Sequence, residues 1–432
     1  MMSSFAIVIC LIGIIISIIL SYKFNVNIGV TGLAFAFIVG CFMMKMTVNE
    51  VVALYPTALT FQIMVICLFF GFATCNGTMK ILANHILYSV RNRKWMIAFA
   101  LYLIAIILGA LGCPPPATTV ISGVIGISVG LAAGLHPLII AWSVLMGSVM
   151  GSLVTWGANG AVIKGIIASV GYEAQSDAWT WRAMLAFFVI STLILIVLFL
   201  VFKGYKLSDV SVEKPESFTR EQRISLTIIL VVVLLVVIPS LLTKLTANEA
   251  VAFFAARMDI RVLAVIGFVL CTLLKLANPM DVIKSVPWAN IILIGGIGTL
   301  MAVATQAGVV DLLANWLNSS VPVMLKVPFM TLIGAILSCF SSGIPTVFPM
   351  LAPVVTDAVV GTSIKPITMF IGILIGCDLV STSPFAAGGA LFLSFVQDEE
   401  LRKKMVNWML ILTLAATAIV LVLGAVGFWG LF

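Results

Sequence analysis

The sequence predicts an all-α polytopic membrane protein made of two inverted repeats, each with a re-entrant helical hairpin and a broken transmembrane helix. Three observations predict it. Of 432 residues, 62% are hydrophobic and only 9% are charged, against roughly 25% charged in soluble domains. Apolar runs follow one another along the whole chain, enough for about ten to twelve helical elements at about 20 residues per span. Four of these runs are interrupted by clusters of Gly, Pro and hydroxyl residues, and the four fall into two matching pairs.

The runs lie near 5–21, 28–46, 60–76, 95–111, 117–133, 137–154, 159–170 and 183–202, and then near 224–243, 261–277, 289–306, 327–341, 345–360, 364–380, 384–396 and 407–431. None shows the ten-residue alternation of a membrane barrel. The run at 5–21 has no basic residue before it and no small-residue cleavage site, so it reads as a retained helix and not a signal peptide. The charged segment 204–223 is the one long hydrophilic stretch and divides the chain. A first repeat covers 1–203, with its hairpin at 95–133 and broken helix at 137–170. A second covers 224–432, with its hairpin at 327–360 and broken helix at 364–396. The divider reads as a cytoplasmic linker. Gly77–Val90 and Val309–Ser319 are short and amphipathic and read either as interfacial helices beside each hairpin or as ordinary helix ends.

The repeat shows as ordered identities. Gly343 and Pro345 follow Gly112 and Pro114 by 231 residues, while Gly376, Ser381 and Gly389-Ala390 follow Gly147, Ser152 and Gly160-Ala161 by 229. Ordered matches of this kind are how many transporter folds are built. The loop before the first hairpin, Arg91-Asn92-Arg93-Lys94, is strongly basic, whereas its counterpart 321–326 carries one lysine. Basic loops stay in the cytoplasm, so the two hairpins open to opposite sides and the repeat is inverted. Ten full crossings then place most Lys and Arg inside the cell and both termini outside, in the cytoplasmic (inner) membrane. The net charge of +7 is spread over short loops, which excludes a nucleic-acid patch.

The first break is Gly112-Cys113-Pro114-Pro115-Pro116-Ala117-Thr118-Thr119. Three prolines cannot continue a helix, and broken backbone at membrane depth is tolerated only in a cavity or inside protein. A second limb starting at about Ala117 leaves the N–H groups of Ala117, Thr118 and Thr119 free to face an anion. Its mate is the second hairpin tip, Cys339–Thr346, with Ser341, Ser342, Gly343, Pro345 and Thr346. The other two breaks are 151–160, with Ser152, Thr155 and Asn159, and 380–389, with Ser381, Thr382, Ser383 and Pro384. Discontinuous helices at the midplane direct positive N-termini at anions and free carbonyls at cations; the alternative is that these residues merely kink packed helices. No arginine lies in any break, so the expected substrate donors are Thr118, Thr119, Asn159, Ser342, Thr346, Ser381, Thr382 and Ser383. Gly112, Pro114, Pro115, Pro116, Gly343 and Pro345 form the hairpin tips.

Asp378 stands alone as a charge within 368–380, and an intramembrane carboxylate is by default a functional group, here a candidate for proton or cation coupling. Lys164 follows the first broken helix and either neutralises a carboxylate or snorkels to the outer surface. His85 and His136 are isolated and lack metal or triad partners. The eight cysteines contain no Cys-x-x-Cys pair and read as packing residues.

With these motifs in view, the segments 32–51, 73–82, 109–121 and 380–391 resemble the malonate/dicarboxylate carrier family (MatC-like), within the ion transporter superfamily that includes the divalent anion–sodium symporters. The resemblance implies paired re-entrant hairpins and broken helices, a scaffold and a transport domain, a homodimer, and small di- or tricarboxylates as substrates. The sodium symporters carry Ser-Asn-Thr at each hairpin tip. Here Gly112–Pro116 and Gly343–Pro345 stand in those places, so sodium near Gly112, Pro114 and Gly343 is one expectation and proton coupling is the other.

The function expected is a secondary active transporter of a small organic dianion, such as malonate or succinate. It works by alternating access on a cation gradient and needs no cofactor. No Gly-x-x-x-x-Gly-Lys-Ser/Thr loop is present to bind ATP. A carrier of another anion, or the membrane subunit of a binding-protein-dependent carrier, are the alternatives on the same architecture. An intramembrane enzyme would need a nucleophile with its base or clustered ligands, which two scattered histidines do not supply.

Overall fold

The computed structural model describes residues 9, 12–13, 16–17, 19–20, 23–24, 26–207, 214–245, 248–255, 257–339 and 343–432. Every regular element among them is helical. Most of the 5–21 run, part of the linker and the tip residues Ser341 and Ser342 lie outside the described residues.

Helix α1 (Ile28–Phe37) begins where Asn27 accepts the Gly29 N–H on its side chain. A short α2 (Val48–Ala53) is held by a capping box between Thr47 and Glu50. There follow α3 (Thr57–Cys75), α4 (Thr78–Ser89), α5 (Ile97–Ala110), α6 (Pro115–Ile125), α7 (Pro137–Ser152), α8 (Ala158–Ile167) and α9 (Glu173–Val201). After the linker come α10 (Arg220–Leu245), α11 (Glu249–Ala255), α12 (Ile260–Leu273), α13 (Pro279–Ser285), α14 (Trp288–Gln306) and α15 (Val309–Ser320). The last five are α16 (Val323–Ser338), α17 (Phe348–Ala358, entered through a π turn at Gly343–Val347), α18 (Pro366–Leu379), α19 (Ala387–Leu393) and α20 (Glu399–Ala425).

Two pairs of helices, one member before the linker and one after it, match in length and in the residue that starts them. Helices α3 and α14 are each 19 residues long and start behind a proline in the same backbone conformation, Pro56 (φ −74°, ψ 66°) and Pro287 (φ −77°, ψ 68°). Helices α4 and α15 are each 12 residues long and start behind a left-handed glycine, Gly77 (φ 79°) and Gly308 (φ 89°). That conformation costs a Cβ-bearing residue energy and costs glycine nothing.

Packing crosses the two halves reciprocally. Helix α1 packs on α14, and its counterpart α12 packs on α3, the counterpart of α14. The same exchange holds at the centre: α8 touches α17 and its π turn, while α19 touches α6. The α1–α14 crossing is backbone on backbone, since a methyl on Gly296 would lie within bonding range of the Gly29 carbonyl oxygen. Small residues that permit such approach are the usual helix contact in membranes. The joint is fixed further by Asn27 Nδ2 donating to the Ala289 carbonyl at 2.8 Å.

Six helices among the described residues are long and apolar enough to cross a membrane, and the chain is a polytopic all-α membrane protein. The core is rich in fully buried aromatics, among them Phe70 of α3, Trp142 of α7, Phe348 of α17 and Phe370 of α18. Exposed apolar side chains such as Leu234, Ile266, Leu273 and Ile411 cover the outer faces of α10, α12 and α20, as a lipid-facing surface requires. The linker is not free of the protein. Glu216 offers its carbonyl to His85 Nε2 at 3.1 Å, and Phe218 stacks on the same ring.

Candidate functional site

The four interrupted segments meet at one place. A cavity of about 370 Å³ is lined by Pro114, Pro115, Pro116 and Thr119 of the first hairpin and by Ala158, Asn159 and Val162 of α8. On the opposite wall stand Gly343, Ile344 and Pro345 of the second hairpin, with Asp378, Ser381 and Ala386–Gly388 of the second broken helix. Its size falls within the range of about 300–1,000 Å³ usual for small-molecule sites.

Each segment is broken for a visible reason. Helix α5 ends where the Cys113 N–H reaches the Leu108 carbonyl at 3.0 Å and Gly112 turns to φ +86°. The face of Gly112 is pressed against the Phe70 ring, leaving no room for a Cβ. Pro114 then caps α6, which starts at Pro115, two residues before the expected Ala117. The reason is that proline at the first helical positions is pre-set for helix geometry. It changes the donor count: Pro115 and Pro116 have no N–H, and the Thr118 N–H bonds to the Pro114 carbonyl at 2.9 Å. Of the three N–H groups expected to be free, Thr118's is therefore spent inside the helix. In the second hairpin the arms of α16 and the segment Gly343–Ala358 stand at 114°.

The two broken helices share one device. Between α7 and α8 the chain leaves helical geometry over 153–157, and Trp156 Nε1 donates to the Ala110 carbonyl at 2.8 Å, which ties the break to the end of α5. Between α18 and α19 it passes through a 3₁₀ turn, Val380–Thr382, and an extended Ser383. In both, the first turn of the next helix closes on the preceding break. A methyl on Gly160 would lie 2.0 Å from the Val154 carbonyl oxygen, and one on Gly389 would lie 2.0 Å from that of Ser383.

Of the donors expected from sequence, Thr119, Asn159 and Ser381 line the cavity. Thr119 Oγ1 donates to Ser148 Oγ at 3.3 Å, and Ser148 in turn donates to the Pro115 carbonyl at 2.9 Å. The Asn159 amide makes no hydrogen bond among the described residues, although only 9% of the residue is exposed. Thr118, Thr346, Thr382 and Ser383 are buried and do not line it. Thr118 Oγ1 donates to the Cys113 carbonyl at 3.2 Å. Thr382 Oγ1 donates to the Leu379 carbonyl at 3.1 Å and lies 3.1 Å from Thr413 Oγ1 on α20. Ser383 Oγ accepts the Phe385 N–H at 3.3 Å, and Thr346 Oγ1 is buried without a partner. Ser342 lies outside the described residues. Two hydroxyl or amide residues of the wall escaped the sequence reading, Ser148 and Asn290.

Asp378, in the last turn of α18, is 3% exposed, and its Oδ2 has no hydrogen-bond partner. Among the described residues, no Lys, Arg or His lines the cavity. Lys164 is elsewhere. It pairs with Asp177 at 3.1 Å in a larger cavity of about 700 Å³ that also holds the Asp259–Arg261 pair, at 2.8 Å. Helices α3 and α8 separate the two spaces: Ile63, Cys67, Asn159 and Val162 face the smaller, Leu59, Gln62, Lys164 and Gly165 the larger.

Residues 2–160 match the family described as dicarboxylate carrier protein MatC N-terminus. The whole chain shares its fold with the Alcanivorax borkumensis YdaH transporter, at 16% identity and a TM-score of 0.57, covering 98% of each chain. It shares it also with Neisseria gonorrhoeae MtrF, described with a class of antimetabolite efflux pumps, at 14% identity and a TM-score of 0.55, covering 98% of this chain and 94% of that one. No curated protein matches the sequence. Over residues 2–160 the chain thus resembles the MatC carriers, and its whole fold is one that these two transporters share.

Proposed function

We propose that this protein is a secondary active transporter that carries a small organic dianion, a C3 or C4 dicarboxylate such as malonate or succinate, across the cytoplasmic membrane on a cation gradient. The observation that carries the reading is the convergence of all four broken segments on one cavity walled by hydroxyl and amide side chains. A dianion gives up hydration worth far more than one hydrogen bond on entering. Thr119, Ser148, Asn159, Asn290 and Ser381 are the polar side chains beside Asp378 that replace it. The resemblance to MatC carriers supports the dicarboxylate, and it supports a homodimer as the working form.

Alternating access follows from the repeat. With one hairpin opening to each side, exchanging the conformations of the two halves moves the cavity's opening from one face to the other. The basic turn before α5 supports a cytoplasmic mouth for the first hairpin, an external one for the second, and external termini. Two cysteines test the inversion in a background without native thiols: Asn92→Cys should react only from the cytoplasm and Val323→Cys only from outside. Reaction of both from one side would remove the inverted arrangement.

Transport is tested by uptake into proteoliposomes. Labelled malonate, succinate and longer dicarboxylates are offered with sodium and proton gradients imposed separately. Accumulation of a C3 or C4 dicarboxylate under one gradient supports the reading; no uptake of any dicarboxylate, in either direction and under either gradient, refutes it.

A further inference from the structure

We propose that the coupling ion is a proton, held on Asp378 and bound together with the substrate, to which the protonated carboxyl offers a hydrogen bond. This rests on the dicarboxylate reading above and adds a role for the one carboxylate that lines the cavity among the described residues.

Three features of the geometry disfavour an ionised Asp378 beside a dianion. Its Oδ2 is buried and has no donor, whereas a buried charge is ordinarily paired or multiply hydrogen-bonded. It sits in the last turn of α18, where the helix dipole is negative and a carboxylate is unfavourable. And the substrate's own negative charge must enter the same space, which no cationic side chain lines among the described residues.

The surrounding elements bring no counter-charge. On α9, Asp177 pairs with Lys164, and Glu173, Asp177 and Lys164 line the larger cavity instead; Arg182 lines neither cavity. On α16, Lys326 donates to Asn318 Oδ1 and to the Ala358 carbonyl. On α17 the ionisable group is Asp357, near its far end, and before α18 it is Lys365, its N-cap. On α20, Arg402 pairs with Glu399 and Lys404 with Glu400 in the first turns, and Lys403 beside them is exposed. The remaining titratable neighbours are Tyr172, whose ring meets Phe370 of α18 edge-on, and three thiols: Cys377 on the same helix, Cys339 at the end of α16 and Cys67 in the cavity wall. The Cys377 carbonyl, the nearest backbone oxygen toward Gly343, already accepts Ser338 Oγ at 2.6 Å.

A protonated Asp378 removes the conflict. It is neutral, and its O–H adds a donor to a wall that has few. The proton enters from water on the loading side, stays on a carboxyl oxygen of Asp378 during the conformational exchange, and returns to water after the substrate leaves. No bond other than this O–H forms or breaks. Because proton and anion stabilise each other's binding, the coupling is reciprocal.

The test measures binding of labelled malonate and succinate to the purified full-length protein, from neutral to mildly alkaline pH, with and without sodium, for the natural protein and Asp378→Asn. The natural protein should lose affinity by about tenfold per pH unit once free Asp378 has ionised, take up one proton per substrate bound in weakly buffered solution, and ignore sodium. Asp378→Asn keeps a neutral N–H donor in place. It should bind with an affinity independent of pH and exchange substrate in proteoliposomes, but fail to accumulate it under a pH gradient. Affinity that is flat with pH, or that depends on sodium in place of pH, overturns the proposal, as does an unchanged pH slope in Asp378→Asn. Should that variant not fold, proton uptake by the natural protein decides alone. If no dicarboxylate binds at any pH, the carrier reading has failed and the proposal falls with it, whereas binding without proton uptake sinks the proposal only.

Discussion

Removing the Asn159 amide and removing the Thr382 hydroxyl should have opposite consequences, although both residues sit in breaks of the same type. Asn159 lines the cavity and its amide has no partner among the described residues, so Asn159→Ala gives up nothing inside the protein. It does give up a donor to the substrate anion. A hydrogen bond to a charged group is worth about 1.5–3 kcal/mol, so the dissociation constant should rise about 10- to 100-fold with little change in thermal midpoint. Thr382 is buried, bonds to Leu379 and neighbours Thr413, and lies off the cavity wall. Thr382→Val preserves shape and leaves the Thr413 hydroxyl with one neighbour fewer. It should cost about 0.5–1.5 kcal/mol of stability and leave affinity within about twofold. Scintillation binding of the preferred dicarboxylate in detergent, alongside a thermal melt of each variant, separates the two. The reasoning is refuted if Asn159→Ala binds like the natural protein, or if Thr382→Val loses tenfold in affinity while melting normally.

Three further outcomes are expected. Gly296→Ala places a methyl against the Gly29 carbonyl in the α1–α14 joint and should reduce the yield of monodisperse protein, with overpacking costs of about 1–3 kcal/mol or more; Gly430→Ala, with open space around it, should not. Trp156→Phe removes the bond to the Ala110 carbonyl and should lower the thermal midpoint by the equivalent of about 1 kcal/mol; an unchanged melt would show that the indole N–H does not secure the break. Ser381→Cys, in a background free of native thiols, should be blocked by a small thiol reagent, and the transported dicarboxylate should slow that block. Protection absent at saturating substrate would place the binding site elsewhere.

The helical class and the positions of the breaks were legible because proline and glycine act locally: a proline removes an N–H wherever it stands. The contents of the cavity wall were less so. Whether a threonine hydroxyl turns to a ligand or to its own backbone is decided by a rotamer and a nearby carbonyl, as at Thr118 and Thr382, and neither shows in a sequence. Asn290 escaped because the repeat comparison favours identities, and its counterpart, 231 residues earlier, is Leu59. Ser148 escaped because it lies inside the unbroken helix α7 and enters the wall only through its bonds to Thr119 and Pro115. The start of α6 moved to Pro115 because a run of prolines ends one helix and is equally suited to open the next.

The reciprocal exchange between the halves also sets a schedule for assembly. Asn27 and its acceptor at Ala289 are 262 residues apart, so at ribosomal rates of about 5–20 residues per second the first helices wait roughly 13–50 s for partners that do not yet exist. During that interval Gly29 and Gly32 present an unfilled backbone groove to the bilayer. Mistakes in biogenesis should therefore gather at this early joint, where a helix from a neighbouring nascent chain competes for the same small-residue surface.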